Sequence, residues 1–551
     1  MYLHSDGGGF SMQKKNRSKR FLYGVLFLSV SNVLTKFCGL FLRVPLTNTL
    51  GDTGMAYFNL AYAVYKWFYM ISTAGLPVAA AILTARYAEE DDRLRAVKQR
   101  RVRNVTLAAF VVLGILGALC MWFGAPLFAY LQHAGDAQYA IAAIAPALFC
   151  ICVASALRGW YQGLECQLPA SIAQVAEAAG KLVCGLWFGG YAVQRGYPVY
   201  ITAAYAVAGL SVGTCLGMAV MLISHPFVVR RYAITKDIGY AGGHWRALLR
   251  ELAVIALPVT LSASVMSLSD MLDSMTVIRR LCSAGIAHDE ALRLYGSYTA
   301  LAVPMFNLPP IIIYPITTAL IPVISAARDD SEKCRRIIRT SLSFTAMIGL
   351  PCAAGMSVMA EPLLRLLYRS DLAKTAAPLL SVLALAVFFL CMLAMSNAIL
   401  QAIGAARYPL RSMLLGAAVK FVSAWILCGY EKVGILGMPI STVLCYLTMA
   451  VCNLYYVMRA SGAAVPFARL LIRPALAALL CAIGARAAYG ALVPHLLHAA
   501  AVLLSVGIGG VTYLAALIAL GGIDRELLSL IPGRTANRSV DHKTSGALTE
   551  P

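Results

Sequence analysis

The sequence has 551 residues, of which 60% are apolar and only 13% are charged. A charged fraction this low excludes an ordinary soluble globular chain. The formal net charge of +21 would suggest nucleic acid as a partner of a soluble protein, so the positions of the charges must be considered before a partner is inferred.

The predicted elements are apolar runs of about 20 residues, each long enough to cross a hydrocarbon core of roughly 30 Å as a helix. The first run follows five basic residues and is too long for a cleaved secretory signal, which predicts a retained first helix. In chain order we place fourteen spans at about 21–42, 55–85, 105–131, 139–163, 168–192, 199–224, 251–278, 295–326, 339–360, 375–402, 409–430, 434–458, 474–493 and 497–521. The predicted fold class is an all-α polytopic membrane protein.

Most of the 46 Lys and Arg residues fall in segments that are cytoplasmic if the N-terminus lies inside. The strongest basic stretches are 93–103, 230–250 and 328–339, all on that face. Orientation and contact with anionic lipids account for this charge without nucleic acid. We therefore expect both termini to lie in the cytoplasm of a bacterial cell.

An internal repeat predicts the domain organisation. Gly54 to Arg86 and Gly296 to Arg328 span the same length, and an acidic and then a basic cluster follow each stretch. The repeat predicts two six-helix lobes related by a pseudo-two-fold axis along the membrane normal. The predicted segments are a basic N-terminus at 1–20, an N-lobe at 21–224, a cytoplasmic linker at 225–250, a C-lobe at 251–458, a loop with two further helices at 459–521, and a cytoplasmic tail at 522–551.

Cations inside the spans are the candidate substrate-binding residues, because charges at membrane depth are costly and usually face a bundle interior or a water-filled cavity. In the first span, Lys36 and Arg43 share one helical face with Asn32 and Gly39. Lys and Arg suit phosphate oxygens, so we predict a cationic cavity that binds a diphosphate. Its candidate residues are Lys36, Arg43, Lys66, Arg158, Lys181, Arg279 and Lys420. Snorkelling or internal ion pairing stays open as the alternative for these residues.

Three carboxylates are candidates for ion coupling. Asp270 and Asp273 are three residues apart in the seventh span, where close carboxylates raise one another's proton affinity, and they predict a proton or sodium site. The alternative is that Asp273 pairs with Arg279 or with a first-span cation. Glu177 lies four residues before Lys181, so the two residues also fit a simple neutralising pair. We expect coupling to protons, sodium or the membrane potential, with no resident cofactor or metal.

Two further spans are rich in proline or in regularly spaced glycine. Pro304, Pro309, Pro310 and Pro315 each remove a helical hydrogen bond or force a kink, which predicts a hinge in the eighth span. In the sixth span, small residues repeat every four positions at 209, 213 and 217 and predict close helix packing.

Short motifs occur in order across roughly residues 25–460. They include Gly39-Leu-Phe-Leu-Arg-Val-Pro-Leu46, Leu157-Arg-Gly-Trp-Tyr-Gln-Gly163 and Pro304-Met-Phe-Asn-Leu-Pro309. Together with the fourteen spans, they resemble the stage V sporulation protein B family of polysaccharide biosynthesis proteins. That resemblance implies the multidrug/oligosaccharidyl-lipid/polysaccharide exporter superfamily, which includes lipid II flippases.

The resemblance also implies a mechanism and residue roles. It implies alternating access around a cationic cavity, with the last two helices forming a groove for a lipid tail. The family's first-span arginine maps to Arg43, its Arg-Gly motif to Arg158 and its seventh-span aspartate to Asp273. Asp270 and Trp160 depart from the family pattern.

These observations predict a flippase that moves a polyprenyl-diphosphate-linked sugar precursor, such as lipid II or a polysaccharide repeat unit, across the bacterial cytoplasmic membrane. Two alternatives stay open: a cation-coupled multidrug exporter, and a non-transporting scaffold in envelope or spore-wall assembly. An enzyme is not expected, because no cofactor motif or catalytic arrangement is apparent. Membrane lipids and cell-wall synthesis enzymes are the expected partners.

Overall fold

The computed structural model describes residues 7–87, 92–231, 245–328, 330–405, 407–462 and 471–521. Within these residues the regular structure is entirely helical. The predicted fold class, an all-α polytopic membrane protein, is confirmed. The predicted tail at 522–551 and parts of the predicted N-terminus, linker and last cytoplasmic loop lie outside the described residues, and the lobe boundaries stay a prediction.

The chain forms two compact units, Met1–Ala300 and Leu301–Pro551. The helices of the first unit are α1 (Gly7–Thr73), α2 (Gly75–Arg86), α3 (Asp92–Leu131), α4 (Ala137–Gly163), α5 (Leu168–Gln194), α6 (Val199–Arg231), α7 (Trp245–Ser283) and α8 (His288–Ser297).

A π-helical turn, Tyr298–Ala302, carries the chain into the second unit. There the helices are α9 (Val303–Phe306), α10 (Pro310–Ala326), α11 (Ser331–Val358), α12 (Ala360–Leu367), α13 (Ser370–Leu383), α14 (Leu385–Ala402), α15 (Arg407–Leu427), α16 (Gly437–Ser461), α17 (Arg473–Leu492) and α18 (His498–Ala519). The predicted last two spans correspond to α17 and α18, which pack against each other.

Ten segments of the described chain are long and apolar enough to cross a membrane, or up to 12 if two bent helix pairs each form one span. All fourteen predicted spans nevertheless fall on helices. The first two share the segment Val30–Arg86, because α1 continues across a break at Gly51, whose φ of 71° favours glycine. The fifth predicted span falls on α5, which is not among the ten and carries Glu177 and Lys181 near its middle.

The eighth predicted span is broken where the prolines lie. The helical segments His288–Phe306 and Pro310–Ala326 are bent by 47° at a short break. Pro309 and Pro310 stand at this break and have no N–H to donate, so the helical hydrogen bonds cannot continue through them. The kink is present, and its use as a hinge stays a prediction.

Helices α5 and α6 pack closely, as the small residues of the sixth span predicted. A Cβ atom on Gly209 would lie 2.5 Å from the Cys184 backbone, and one on Gly213 would lie 2.3 Å from the Lys181 backbone nitrogen. A Cβ atom on Gly217 would lie 2.8 Å from the Glu177 Cβ. Because α6 carries glycine here, the backbones of the two helices approach closely at the turn of α5 that carries Glu177 and Lys181.

Candidate functional site

A cavity of about 370 Å³ lies within the first unit, between the two halves of α1 and helices α4, α5 and α6. Four cations line it: Arg43, Lys66, Arg158 and Lys181. Glu177 is the one carboxylate among the described residues of its lining, and Asp270, outside the lining, pairs with Lys66, which leaves two positive charges in excess. The cavity therefore favours an anion.

Arg43 is held between two parts of the first unit. Its Nη2 donates to Asn59 Oδ1 at 2.6 Å and to the Thr299 carbonyl oxygen at 3.2 Å. The Asn59 amide is itself fixed, because its Nδ2 donates to the Met55 carbonyl oxygen at 2.8 Å. The break at Gly51 lets the chain reverse, so that residues 43 and 59 meet. Arg43 is thus oriented in the cavity wall.

Glu177 lies between two of the cavity cations. Lys181 Nζ donates to Glu177 Oε1 at 2.6 Å, and Arg158 Nη2 lies 4.0 Å from Glu177 Oε2. The neutralising pair of Glu177 and Lys181, which the sequence left open, is present. Arg158 from α4 adds a second positive charge that the spacing along α5 did not predict.

The two aspartates of α7 have different surroundings. Asp270 Oδ2 accepts from Lys66 Nζ at 2.7 Å, and about a third of each side chain is exposed. Asp273, one turn later, is only 3% exposed. The ion pair joins a cavity cation to a residue predicted for ion coupling.

Three of the seven predicted cations are not among the residues that line this cavity. Lys36 is exposed on α1. Arg279 is exposed near the end of α7, close to His133, where burial and the charges of Arg279 and His288 lower the pKa of His133. Lys420 is 6% exposed in α15 of the second unit. Their role in substrate binding stays a prediction.

Several residues that line the cavity were not predicted. They are Gln174 and a row of aromatic side chains on the second half of α1, Phe58, Tyr62, Tyr65 and Tyr69. Their three- and four-residue spacing around Lys66 indicates one helical face and is visible in the sequence. A tyrosine in a membrane span needs no charge compensation, so this spacing alone does not predict a binding site.

Trp160, which departs from the family pattern, has a structural role. Its ring is completely buried, and its Nε1 donates to the Gln99 carbonyl oxygen at 3.1 Å. The Arg103 guanidinium lies 5.4 Å from the ring centroid, and Arg103 Nη1 lies 3.2 Å from His225 Nε2. The cluster joins α3, α4 and α6 beside Arg158 without lining the cavity.

Comparison with solved structures places the fold among known transporters. The structure of lipid II flippase MurJ in an inward closed conformation matches with a TM-score of 0.65 at 14% identity, covering 90% of this chain and 98% of that one. The helical fold, the apolar spans and the charged cavity define a multi-pass membrane transporter of the flippase and exporter class.

The chain belongs to the polysaccharide biosynthesis protein family, whose model matches residues 21–328, more than half of its length. A second model, MatE, matches residues 297–426. Stage V sporulation protein B of Bacillus subtilis (strain 168) is 26% identical over 77% of this chain and 80% of its own. Lipid II flippase MurJ of the same organism is 23% identical over 74% of this chain and 77% of its own. The predicted family is confirmed.

Proposed function

We propose that this protein is a flippase that moves a polyprenyl-diphosphate-linked sugar, such as lipid II or a polysaccharide repeat unit, across the cytoplasmic membrane. The observation that carries the proposal is the excess of cations in the cavity, where Glu177 and the Asp270 partner of Lys66 are outnumbered by Arg43, Lys66, Arg158 and Lys181. Guanidinium and ammonium groups bind phosphate oxygens through charge-assisted hydrogen bonds, which are strong where water is scarce. The diphosphate would lie among these four side chains.

The relatives support the same substrate class. One is a lipid II flippase and another a sporulation protein, and each matches more than two thirds of this chain. Alternating access, which the family resemblance implies, would carry the head group across the membrane while the polyprenyl tail stays in lipid. We propose cytoplasmic termini, consistent with the basic stretches on one face. Membrane lipids and cell-wall synthesis enzymes are the proposed partners.

The ion pair of Lys66 and Asp270 supports coupling to a cation gradient. A diphosphate that engages Lys66 would weaken the pair and leave Asp270 with an uncompensated negative charge. Such a carboxylate gains affinity for a proton or sodium ion. Substrate binding and cation uptake would then favour each other. Asp273 and Glu177 are the other proposed coupling residues.

The test is translocation of labelled lipid II in sealed vesicles that contain the purified full chain. We expect transport by the wild type, and a loss of at least about tenfold for Arg43→Ala, because each charge-assisted hydrogen bond contributes roughly 1.5–3 kcal/mol. Arg43→Lys should retain more transport than Arg43→Ala because it keeps the charge. The matched control is Arg195→Ala, since Arg195 is exposed at the end of α5 and does not line the cavity.

Failure of the wild type to move lipid II or any other polyprenyl-diphosphate sugar would overturn the proposal. A cation-coupled multidrug exporter is the second candidate, supported by the two carboxylates of α7. Export of a cationic dye that is abolished by Asp270→Asn and unaffected by Arg43→Ala would favour it. A normal phenotype for Arg43→Ala in cells that need the protein would instead favour a non-transporting scaffold.

A further inference from the structure

The aromatic row on α1 forms a continuous wall of the cavity. Adjacent ring centroids are 6.4 Å apart for Phe58 and Tyr62, 5.8 Å for Tyr62 and Tyr65, and 5.8 Å for Tyr65 and Tyr69. At 1.5 Å per residue the row extends roughly 16 Å along the helix. Lys66 follows Tyr65 directly, so this wall carries rings and a cation together.

The aromatic row carries a hydroxyl group that helix packing alone does not need. The Tyr65 side chain is only 4% exposed, and its hydroxyl makes no hydrogen bond with any protein atom that the structure describes. A buried hydroxyl without a partner is unfavourable, and phenylalanine would fill the same space without it. Tyr62, by contrast, is 38% exposed. The row therefore combines a buried hydroxyl without a partner, on a residue that lines the cavity, with accessible ring area on Tyr62.

No described cation occupies the ring faces of these tyrosines, and the Tyr62 ring is accessible. None of the cation–π contacts among the described residues involves Tyr62, Tyr65 or Tyr69. An aromatic face carries partial negative charge and attracts the weakly positive C–H groups of a flat ligand, while the tyrosine hydroxyls hydrogen-bond at its edge. A pyranose ring offers both: C–H groups on its faces and hydroxyls around its rim.

We propose that Tyr62, Tyr65 and Tyr69 form the subsite for the first sugars of the transported head group. This inference rests on the proposed flippase function. It assigns the sugars to the aromatic row and the diphosphate to the cations. In a polyprenyl-diphosphate sugar the first sugar is bonded directly to the diphosphate, so its binding site must adjoin the cations. The position of Lys66 in the aromatic row meets this requirement. The polyprenyl tail does not fit here, because hydrocarbon is unfavourable among four cations.

The experiment compares two lipids that share the undecaprenyl diphosphate, of which only lipid II carries sugars with their attached peptide. Full-length protein in nanodiscs is titrated with undecaprenyl diphosphate and with lipid II. We expect the wild type to bind lipid II more tightly. Tyr65→Phe should weaken lipid II binding roughly fivefold, the effect of one neutral hydrogen bond, and Tyr62→Leu by a similar factor, with undecaprenyl diphosphate unaffected.

Two controls separate this inference from the proposed function. Arg43→Ala should weaken both lipids, because both carry the diphosphate. Tyr205→Leu should change neither, because Tyr205 is an exposed tyrosine of α6 outside the cavity. Equal binding of the two lipids by the wild type, or equal weakening of both by Tyr65→Phe and Tyr62→Leu, would overturn the sugar subsite and leave the flippase proposal standing. Binding of neither lipid would overturn both.

Discussion

At the scale of single residues, Glu177 is the notable exception in a cationic cavity. Its carboxylate lies 2.6 Å from Lys181 Nζ and 4.0 Å from Arg158 Nη2, and under the proposed function a phosphate oxygen would bind the same two cations. A substrate diphosphate that approaches these two cations has to compete with it. Under the proposed function, we therefore expect Glu177 to lower the affinity of the cavity for anions and to compensate the two cations when substrate is absent.

Replacement of Glu177 with glutamine tests this competition. Glu177→Gln keeps the size of the side chain and removes its negative charge, so the cavity becomes more positive. We expect undecaprenyl diphosphate to bind on the order of tenfold more tightly, with a steeper dependence on salt. Glu290→Gln is the matched control, because Glu290 pairs with Arg293 on α8 outside the cavity. Weaker binding by Glu177→Gln would show that Glu177 positions the cations instead of competing for them.

At the scale of elements, the packing of α5 against α6 sets the position of the charged pair. The three glycines of α6 lie against α5 at the Cys184 and Lys181 backbone and at the Glu177 Cβ. Because these three positions of α6 carry no side chain, α5 comes close enough for its charged residues to line the cavity. Packing between two helices thereby determines the geometry of the site.

Gly213→Ala should disturb both stability and the site. The added Cβ would lie 2.3 Å from the Lys181 backbone nitrogen and 2.6 Å from its Cγ, so α5 must shift. Overpacking of this kind costs about 1–3 kcal/mol, and we expect a lower Tm and weaker lipid II binding. Gly190→Ala on α5 is the control, because a Cβ there has no atom within 4 Å. An unchanged Tm for Gly213→Ala would contradict this account of the packing.

At the scale of the whole molecule, the spans were predictable because each apolar run must satisfy its backbone groups within a helix. Charged residues are costly within those runs, so their positions predict residues that face a cavity. Among them are the four cavity cations Arg43, Lys66, Arg158 and Lys181. The pattern along one helix does not determine which helices meet, so it also included Lys36, Arg279 and Lys420. The tyrosines were missed because they carry no such cost.

Membrane orientation is the property of the whole chain that charge alone predicts. Asp289 and Glu332 are a useful pair, since both are exposed carboxylates in the first turn of a helix. The basic stretches place the segment before α8 outside and the segment before α11 in the cytoplasm. Cysteines at these two positions should therefore react differently with a maleimide that cannot cross the membrane.

In intact cells we expect Asp289→Cys to be labelled, and Glu332→Cys to be labelled only after the membrane is permeabilised. Both substitutions are made with Cys166 and Cys282 replaced by serine, because these native cysteines lie in a turn and near a helix end. The same variant without an added cysteine measures background labelling. The reverse pattern would place the basic stretches outside, against the potential that retains positive loops in the cytoplasm. A diphosphate entering from the cytoplasm would then have to reach the cavity from the opposite end, so the direction of transport depends on this result.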